Sequence, residues 1–231
     1  MKTNLKAGFG KQDITPPIGS LLAGYSNPRV SKGIHDPLYS RVLVIDDGKK
    51  IIAIIVNDLL FIDDDLSYRV KKMIKNQTDI PEKNVMIVAT HTHSGPYLCP
   101  SLFPDEVNGE WLEMLKEKML KAVQIALESR DHCKIYRGKE KCYEIGKNRG
   151  GFKDLVDPDV TVLYLEDPTG RCIGILFNYA CHPTVLGPEN DYITADFPYY
   201  AITEIERHFK SPAIFVNGAA GDINVFGPGV Q

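Results

Sequence analysis

No stretch of this chain stays apolar for long. The longest run, Ile51 to Val56, is far short of the roughly 20 residues that a bilayer-spanning helix needs, so no transmembrane segment is expected. The opening Met1-Lys2-Thr3-Asn4-Leu5-Lys6 is positively charged but leads into no apolar h-region. No signal peptide is read there, and the expected location is cytoplasmic. An excess of one charge is also missing: a net charge of −3 with both signs interspersed leaves no basic footprint, so nucleic acid is not an expected partner. Cysteine is sparse. Cys99, Cys133, Cys142, Cys172 and Cys181 are an odd five with no Cys-x-x-Cys pair, which argues against a disulfide framework and against a thiolate metal site. Internal repeats, low-complexity tracts and Gly/Ser linkers are absent from the sequence. With 231 residues, 43% of them apolar and 25% charged, the chain has the makings of one ordinary globular domain with a sizeable core.

Hydrophobic periodicity supplies the elements. Arg41 to Asp46 and Ile51 to Val56 flank Asp47-Gly48-Lys49-Lys50, a hairpin signal, and Val160 to Leu165 and Cys172 to Tyr179 flank Asp167-Pro168-Thr169-Gly170, a second one. Leu66, Val70, Met73 and Ile74 recur at helical spacing behind three aspartates that suit a helix N-terminus. Trp111, Leu115, Met119, Val123 and Leu127 make a longer amphipathic helix, and Phe197 to His208 a third. Val85 to Ala89 reads as a central strand and Ala213 to Val216 as another buried one. The expected fold is α/β, a mixed β-sheet layered with helices in a single domain over residues 1–231.

Chemistry concentrates where strands end. In Thr90-His91-Thr92-His93-Ser94-Gly95-Pro96, an apolar strand gives way to a Gly-Pro turn, and residues two apart in extended chain share a face. His91 and His93 can therefore converge on one metal ion; two structural histidines are the alternative. Asn178-Tyr179-Ala180-Cys181-His182-Pro183 repeats the pattern, with a histidine just past a strand and a proline that stops it. Three of the six histidines thus stand at strand ends, which favours a shared metal at that edge. Cys181 could be a nucleophile, although a small buried thiol is the commoner meaning. His132 and His208 fall in polar helical surroundings and read as solvated, and His35 is open between a group behind a metal ligand and a turn residue. Asp222, in the small-residue loop after Phe215 and Val216, could orient a histidine, bind a cation or cap a turn. Arg149, in a Gly-rich loop, could clamp a carbonyl or carboxylate, or be solvated.

Laid out in order, these residues resemble the neutral/alkaline ceramidase family in its N-terminal catalytic domain. The likeness starts at Ala7 to Pro17 and continues through Gly33-Ile34-His35 and Tyr39-Ser40-Arg41. It is sharpest at Thr90 to Pro96, then Asn148-Arg149, His182-Pro183-Thr184 and Gly221-Asp222. The resemblance implies a zinc-dependent hydrolase of the amide bond in an N-acyl substrate, a small molecule or a lipid such as ceramide. On that resemblance His91 and His182 are zinc ligands, His93 a histidine beside the metal and Arg149 an arginine of the substrate site. It also implies a glutamate and a tyrosine ligand from sequence beyond Gln231, so the domain is expected to be incomplete at its C-terminus. Within the chain, Asp58 and Asp222 are the nearest substitutes for such a ligand. One position departs from the pattern: Asn224 stands where the family carries a catalytic serine, and an amide cannot serve as a hydroxyl nucleophile or proton shuttle. That leaves two other readings open, a metallohydrolase of unrelated esters or amides and a non-catalytic binding domain stabilised by metal.

Overall fold

The computed structural model describes residues 4–27, 29–98, 108–152 and 155–226; Met1 to Thr3, Cys99 and Gln231 lie outside them. The chain begins with β1 (Lys6–Asp13), then three two-residue strands, β2 (Leu21–Leu22), β3 (Arg29–Val30) and β4 (Gly33–Ile34). The hairpin β5 (Tyr39–Asp46) and β6 (Ile51–Asn57) follows, then α1 (Asp64–Gln77), β7 (Val85–Ala89) and α2 (Gly109–Glu128). Next come β8 (Asp131–His132), β9 (Lys134–Lys141), β10 (Gly146–Asn148) and the hairpin β11 (Asp159–Glu166) and β12 (Cys172–Tyr179). Last are β13 (Tyr192–Ile193), α3 (Phe197–Phe209), β14 (Ala213–Asn217) and β15 (Ile223–Val225).

Two mixed sheets result, one ordered β7-β6-β5-β1-β8 and the other β14-β12-β11-β9. Each has the same plan. An antiparallel pair joins a hairpin, and a helical crossover returns a parallel strand to its edge: β1, β5, β6, α1, β7 in the first and β9, β11, β12, α3, β14 in the second. The sequence carries no repeat, yet the topology does, because only the alternation of apolar positions has to be preserved to rebuild it.

That alternation sorts the core into three layers of contact. Val42, Val44, Ala53 and Ile55 face Leu66, Val70 and Ile74 of α1 and Leu115, Met119 and Val123 of α2. Their neighbours in the strands, Leu43 and Val56, meet Leu165, Leu176 and Ile214 of the second sheet. Phe177, Tyr179 and Phe215 then turn outward onto Ile202 of α3. The architecture is helix, sheet, sheet, helix. α2 lies directly on β1, and a Cβ at Gly8 or Gly10 would stand 2.0 or 1.9 Å from the carbonyl oxygen of Ala126 or Ala122. Caps set the helix starts: Asp63 Oδ1 accepts from the Leu66 N–H at 2.7 Å and Asn108 Oδ1 from the Trp111 N–H at 3.0 Å.

The α/β expectation holds, with two corrections. Val85–Ala89 is the edge strand of its sheet rather than a central one; Val85, Ile87 and Ala89 pack into the helix-side core and Val88 against the second sheet, so both faces are apolar. His132 lies in β8, exposed, and not in a helix; His208 is exposed on the last turn of α3. Among the described residues no helix is long and apolar enough to cross a membrane.

Candidate metal centre

In both repeats the parallel strands deliver their carboxyl ends to one place, where open α/β sheets bind ligands. Beyond β7 the chain stays tied to the segment after β6: the Thr90 N–H donates to Asn57 O at 2.8 Å and the His91 N–H to Leu59 O at 2.9 Å. It then turns sharply at His91, whose φ of 74° is left-handed, a conformation that costs a non-glycine residue about 1–3 kcal/mol and persists only where surroundings enforce it. The enforcing contacts are visible. Thr92 Oγ1 donates to Thr194 O at 2.7 Å, and Asn217, at the end of β14, donates to Thr90 O at 3.0 Å while accepting from the Cys181 N–H at 3.2 Å. Asn217 therefore ties the two histidine loops together across the sheets.

His91, His93 and His182 form one group, with ligand atoms all within 4.8 Å of one another. The arrangement of His91 and His182 is specific. His91 Nδ1 lies 2.7 Å from Leu60 O and His182 Nδ1 3.2 Å from Ile223 O. A carbonyl can only accept, so each Nδ1 carries a hydrogen, and in the neutral imidazole each Nε2 then presents a bare lone pair. Those two Nε2 atoms face each other at 3.2 Å. Two lone pairs so placed repel unless a cation lies between them, and nitrogens on a tetrahedral zinc, each about 2.05 Å from it, stand about 3.3 Å apart. The residues fit a metal ion. His93 completes the cluster, its ring centroid 5.1 Å from that of His91 and 5.3 Å from that of His182, and both of its ring nitrogens are buried without a partner.

Electrostatics favour the neutral forms of His93 and His182. Burial, then the neighbouring His91 and His182 and the cations Arg29 and Arg149, push the His93 pKa down to about 4. Burial and His91 likewise lower that of His182. The field of Arg149 reaches both rings because β10 pairs with β15, which is itself docked on the His182 loop. The His182 N–H donates to Ile223 O at 2.8 Å, and His182 bridges to Asn224. Arg149 is anchored by its Nη2 to Gly221 O at 2.9 Å. The Asn224 side-chain oxygen is buried without a partner beside His182.

The sequence-nominated residues thus gather, with exceptions. Asp58 is no ligand: its Oδ2 accepts from Arg41 Nη1 at 2.6 Å and from the Tyr39 N–H at 2.9 Å, deep in the fold. Asp222 orients Asn148, at 2.6 Å, and not a histidine. Cys181 is fully buried, and burial pushes its thiol up to about 12, which makes it inert as a nucleophile at neutral pH. His35 bonds Asp36 Oδ2 at 3.0 Å, away from the cluster, and Asp36 in turn accepts from Thr194 Oγ1 and the Ala195 N–H. Sequence reasoning passed over Asn217, Gly24 and Arg29, all of which touch the histidine loops.

The family described as neutral/alkaline non-lysosomal ceramidase, N-terminal, matches residues 5–225. The chain belongs to that family. The neutral ceramidase of Drosophila pseudoobscura pseudoobscura is 25% identical to this member over 96% of the chain and 36% of the relative. That of Pseudomonas aeruginosa is 25% identical over 90% of the chain and 34% of the relative. The crystal structure of the Pseudomonas aeruginosa enzyme superposes with a TM-score of 0.87 at 24% identity, covering 96% of this chain and 39% of that one, which establishes the fold. This ceramidase-family chain spans about a third of the length of the curated relatives it matches.

Proposed function

We propose that this chain carries the zinc-binding half-site of a hydrolase that cleaves the amide bond of an N-acyl substrate, of the ceramide kind named for its relatives. The observation that carries the reading is the facing pair of His91 and His182 Nε2 lone pairs, 3.2 Å apart, each fixed from behind by a backbone carbonyl. These two residues would hold the metal. Further ligands are proposed to come from outside these residues, since no carboxylate joins the three imidazoles among the described residues. Bound zinc supplies a Lewis acid that polarises an amide carbonyl and activates water.

The chain's own groups have distinct tasks in this proposal. His93, neutral at pH 7, would present one N–H to the oxygen on which charge develops and hold it at hydrogen-bond distance. The Arg149 guanidinium, pinned to Gly221 O, would face the acyl or headgroup side of the substrate. Asn224 occupies the position of the family's serine and cannot take up a proton as an alkoxide would, so ceramide turnover should be slow. That residue favours a second reading, a metal-stabilised domain that binds N-acyl ligands without turnover. Hydrolysis of a panel of N-acyl amides by the longest natural form of the protein, before and after chelation, decides between them. Chelator-sensitive hydrolysis of any member supports the hydrolase; none from zinc-loaded protein overturns it.

A further inference from the structure

His91 and His182 each have a carbonyl against Nδ1, whereas His93 has no hydrogen-bond partner on either buried ring nitrogen. The direction of its ring is therefore set by its backbone and by the walls around it. One wall is Gly24, with φ 107°; a methyl group there would lie 2.6 Å from Cα, Cβ and Cγ of His93. The other is the Tyr25 ring, edge-on to the imidazole with centroids 5.0 Å apart.

Both walls lead to Arg29. Its side chain is buried at 5% exposure, and its guanidinium stacks 4.6 Å from the Tyr25 ring centroid. Nη2 donates to Ala23 O at 3.1 Å and to His93 O at 2.5 Å, and Nη1 donates to Asn190 O at 2.5 Å. Among the described residues no carboxylate pairs with it; Asp191, whose charge it feels, is held by Lys32 at 2.6 Å. Burying a cation without a counter-ion is unfavourable, and a methionine would fill similar space without that penalty. What methionine lacks is a planar fork of donors that can take carbonyls from three separate loops at once.

We infer that Arg29 is the positioning residue for His93: by forking onto the carbonyls of Ala23, His93 and Asn190, it fixes the backbone and walls that aim an imidazole with no anchor of its own. The inference rests on reading the three histidines as one centre. It is tested by following deuterium uptake at each histidine C2 position by mass spectrometry, on metal-free protein at a single pH. Wild type is compared with Arg29→Met, with Arg29→Lys, which keeps the charge but not the planar fork, and, as a variant destabilised in the helix-side core, Ile74→Ala. Uptake at His93 should rise by about threefold or more in Arg29→Met and, less steeply, in Arg29→Lys, where the charge is kept and only the fork of donors is lost. It should stay at the wild-type rate in Ile74→Ala, and His208 should be unchanged throughout. If Arg29→Met fails to fold, Arg29→Lys carries the comparison. Wild-type uptake at His93 in either folded Arg29 variant, or an equal rise in Ile74→Ala, overturns the inference. Because the readout needs no metal, that failure is distinct from wild-type protein that takes up no zinc, which would overturn the metal reading instead.

Discussion

Deleting His91 and deleting His93 should affect metal binding very differently. His91→Ala removes one of the two facing Nε2 atoms 3.2 Å apart and leaves a single anchored nitrogen on His182. His93→Ala leaves that pair and both of its carbonyl anchors intact. A ligand that binds only folded protein, at 100 times its Kd, stabilises by about 2.7 kcal/mol. For a domain of this size, about 1 kcal/mol moves Tm by about 2–4 °C, so zinc at that level should raise the wild-type Tm by about 5–11 °C. Losing a group that orients the site weakens metal binding by about tenfold at the low end, so His93→Ala should keep about half of that shift, about 3–6 °C. A fall of about 1,000-fold in His91→Ala puts the same zinc at about one tenth of Kd, where the stabilisation is below about 0.1 kcal/mol and no shift is seen. The assay is thermal unfolding of chelator-stripped protein with and without zinc. His93→Ala losing the shift as completely as His91→Ala would make His93 a ligand in its own right, and a wild-type protein with no shift would refute the centre altogether.

Three further outcomes are expected. Asn224→Ser should hydrolyse N-acyl substrate faster than wild type, measured as kcat/KM; equal rates would show that the serine's role does not transfer to this position. Leu165→Ala, in the fully buried layer between the sheets, should lower the unfolding free energy by about 2–5 kcal/mol in urea titration. A loss well below that range would mean the two sheets close over the cavity. Asp167 is held at a pKa of about 2, first by the Thr169 hydroxyl and then by the backbone N–H and side chain of Arg171 and the N–H of Thr169. A carboxylate depressed on folding contributes above its unfolded pKa and loses that contribution as pH falls through the folded one. Between about pH 4 and pH 2 wild type should therefore lose its advantage over Asp167→Asn, and a constant difference in urea midpoints across that window would contradict it.

How much of this was legible in the sequence varies by the range of the interaction. The hairpin turns and the three helices are local: Asp47-Gly48 and Asp167-Pro168-Thr169-Gly170 carry their own turn chemistry, and Trp111, Leu115 and Met119 carry a helical period. His91 and His182 were readable because a strand end followed by Gly-Pro or Pro leaves its mark over a few residues. The stacking of two sheets was not, since Leu43 meets Leu176 through contacts that no local pattern encodes. The same limit placed Val85–Ala89 in the middle of a sheet. Asp58 looked like a free carboxylate only because Arg41, its partner at 2.6 Å, cannot be matched to it from sequence. Arg29 lay beyond reach for a stronger reason: its three acceptors are backbone carbonyls 6, 64 and 161 residues away, and a carbonyl has no residue identity to recognise.

The position of the centre relative to the topological repeat explains why it forms where it does. His91 follows the parallel edge strand of the first unit and His182 the hairpin strand of the second, so neither unit holds the pair alone. Their meeting depends on the two sheets docking in one register, which the layer of Leu43, Val56, Leu165, Leu176 and Ile214 enforces from below. Asn217 enforces it from above, by bonding Thr90 of one unit and Cys181 of the other. A metal held by both histidines would add a third tie across the same seam. Zinc binding and sheet docking are then linked equilibria: whatever loosens the seam weakens the metal, and the metal stabilises the seam in return. The left-handed turn at His91 fits this view, because its strain is tolerable only while both sheets hold the loop, and the loop points at the partner sheet only through that turn.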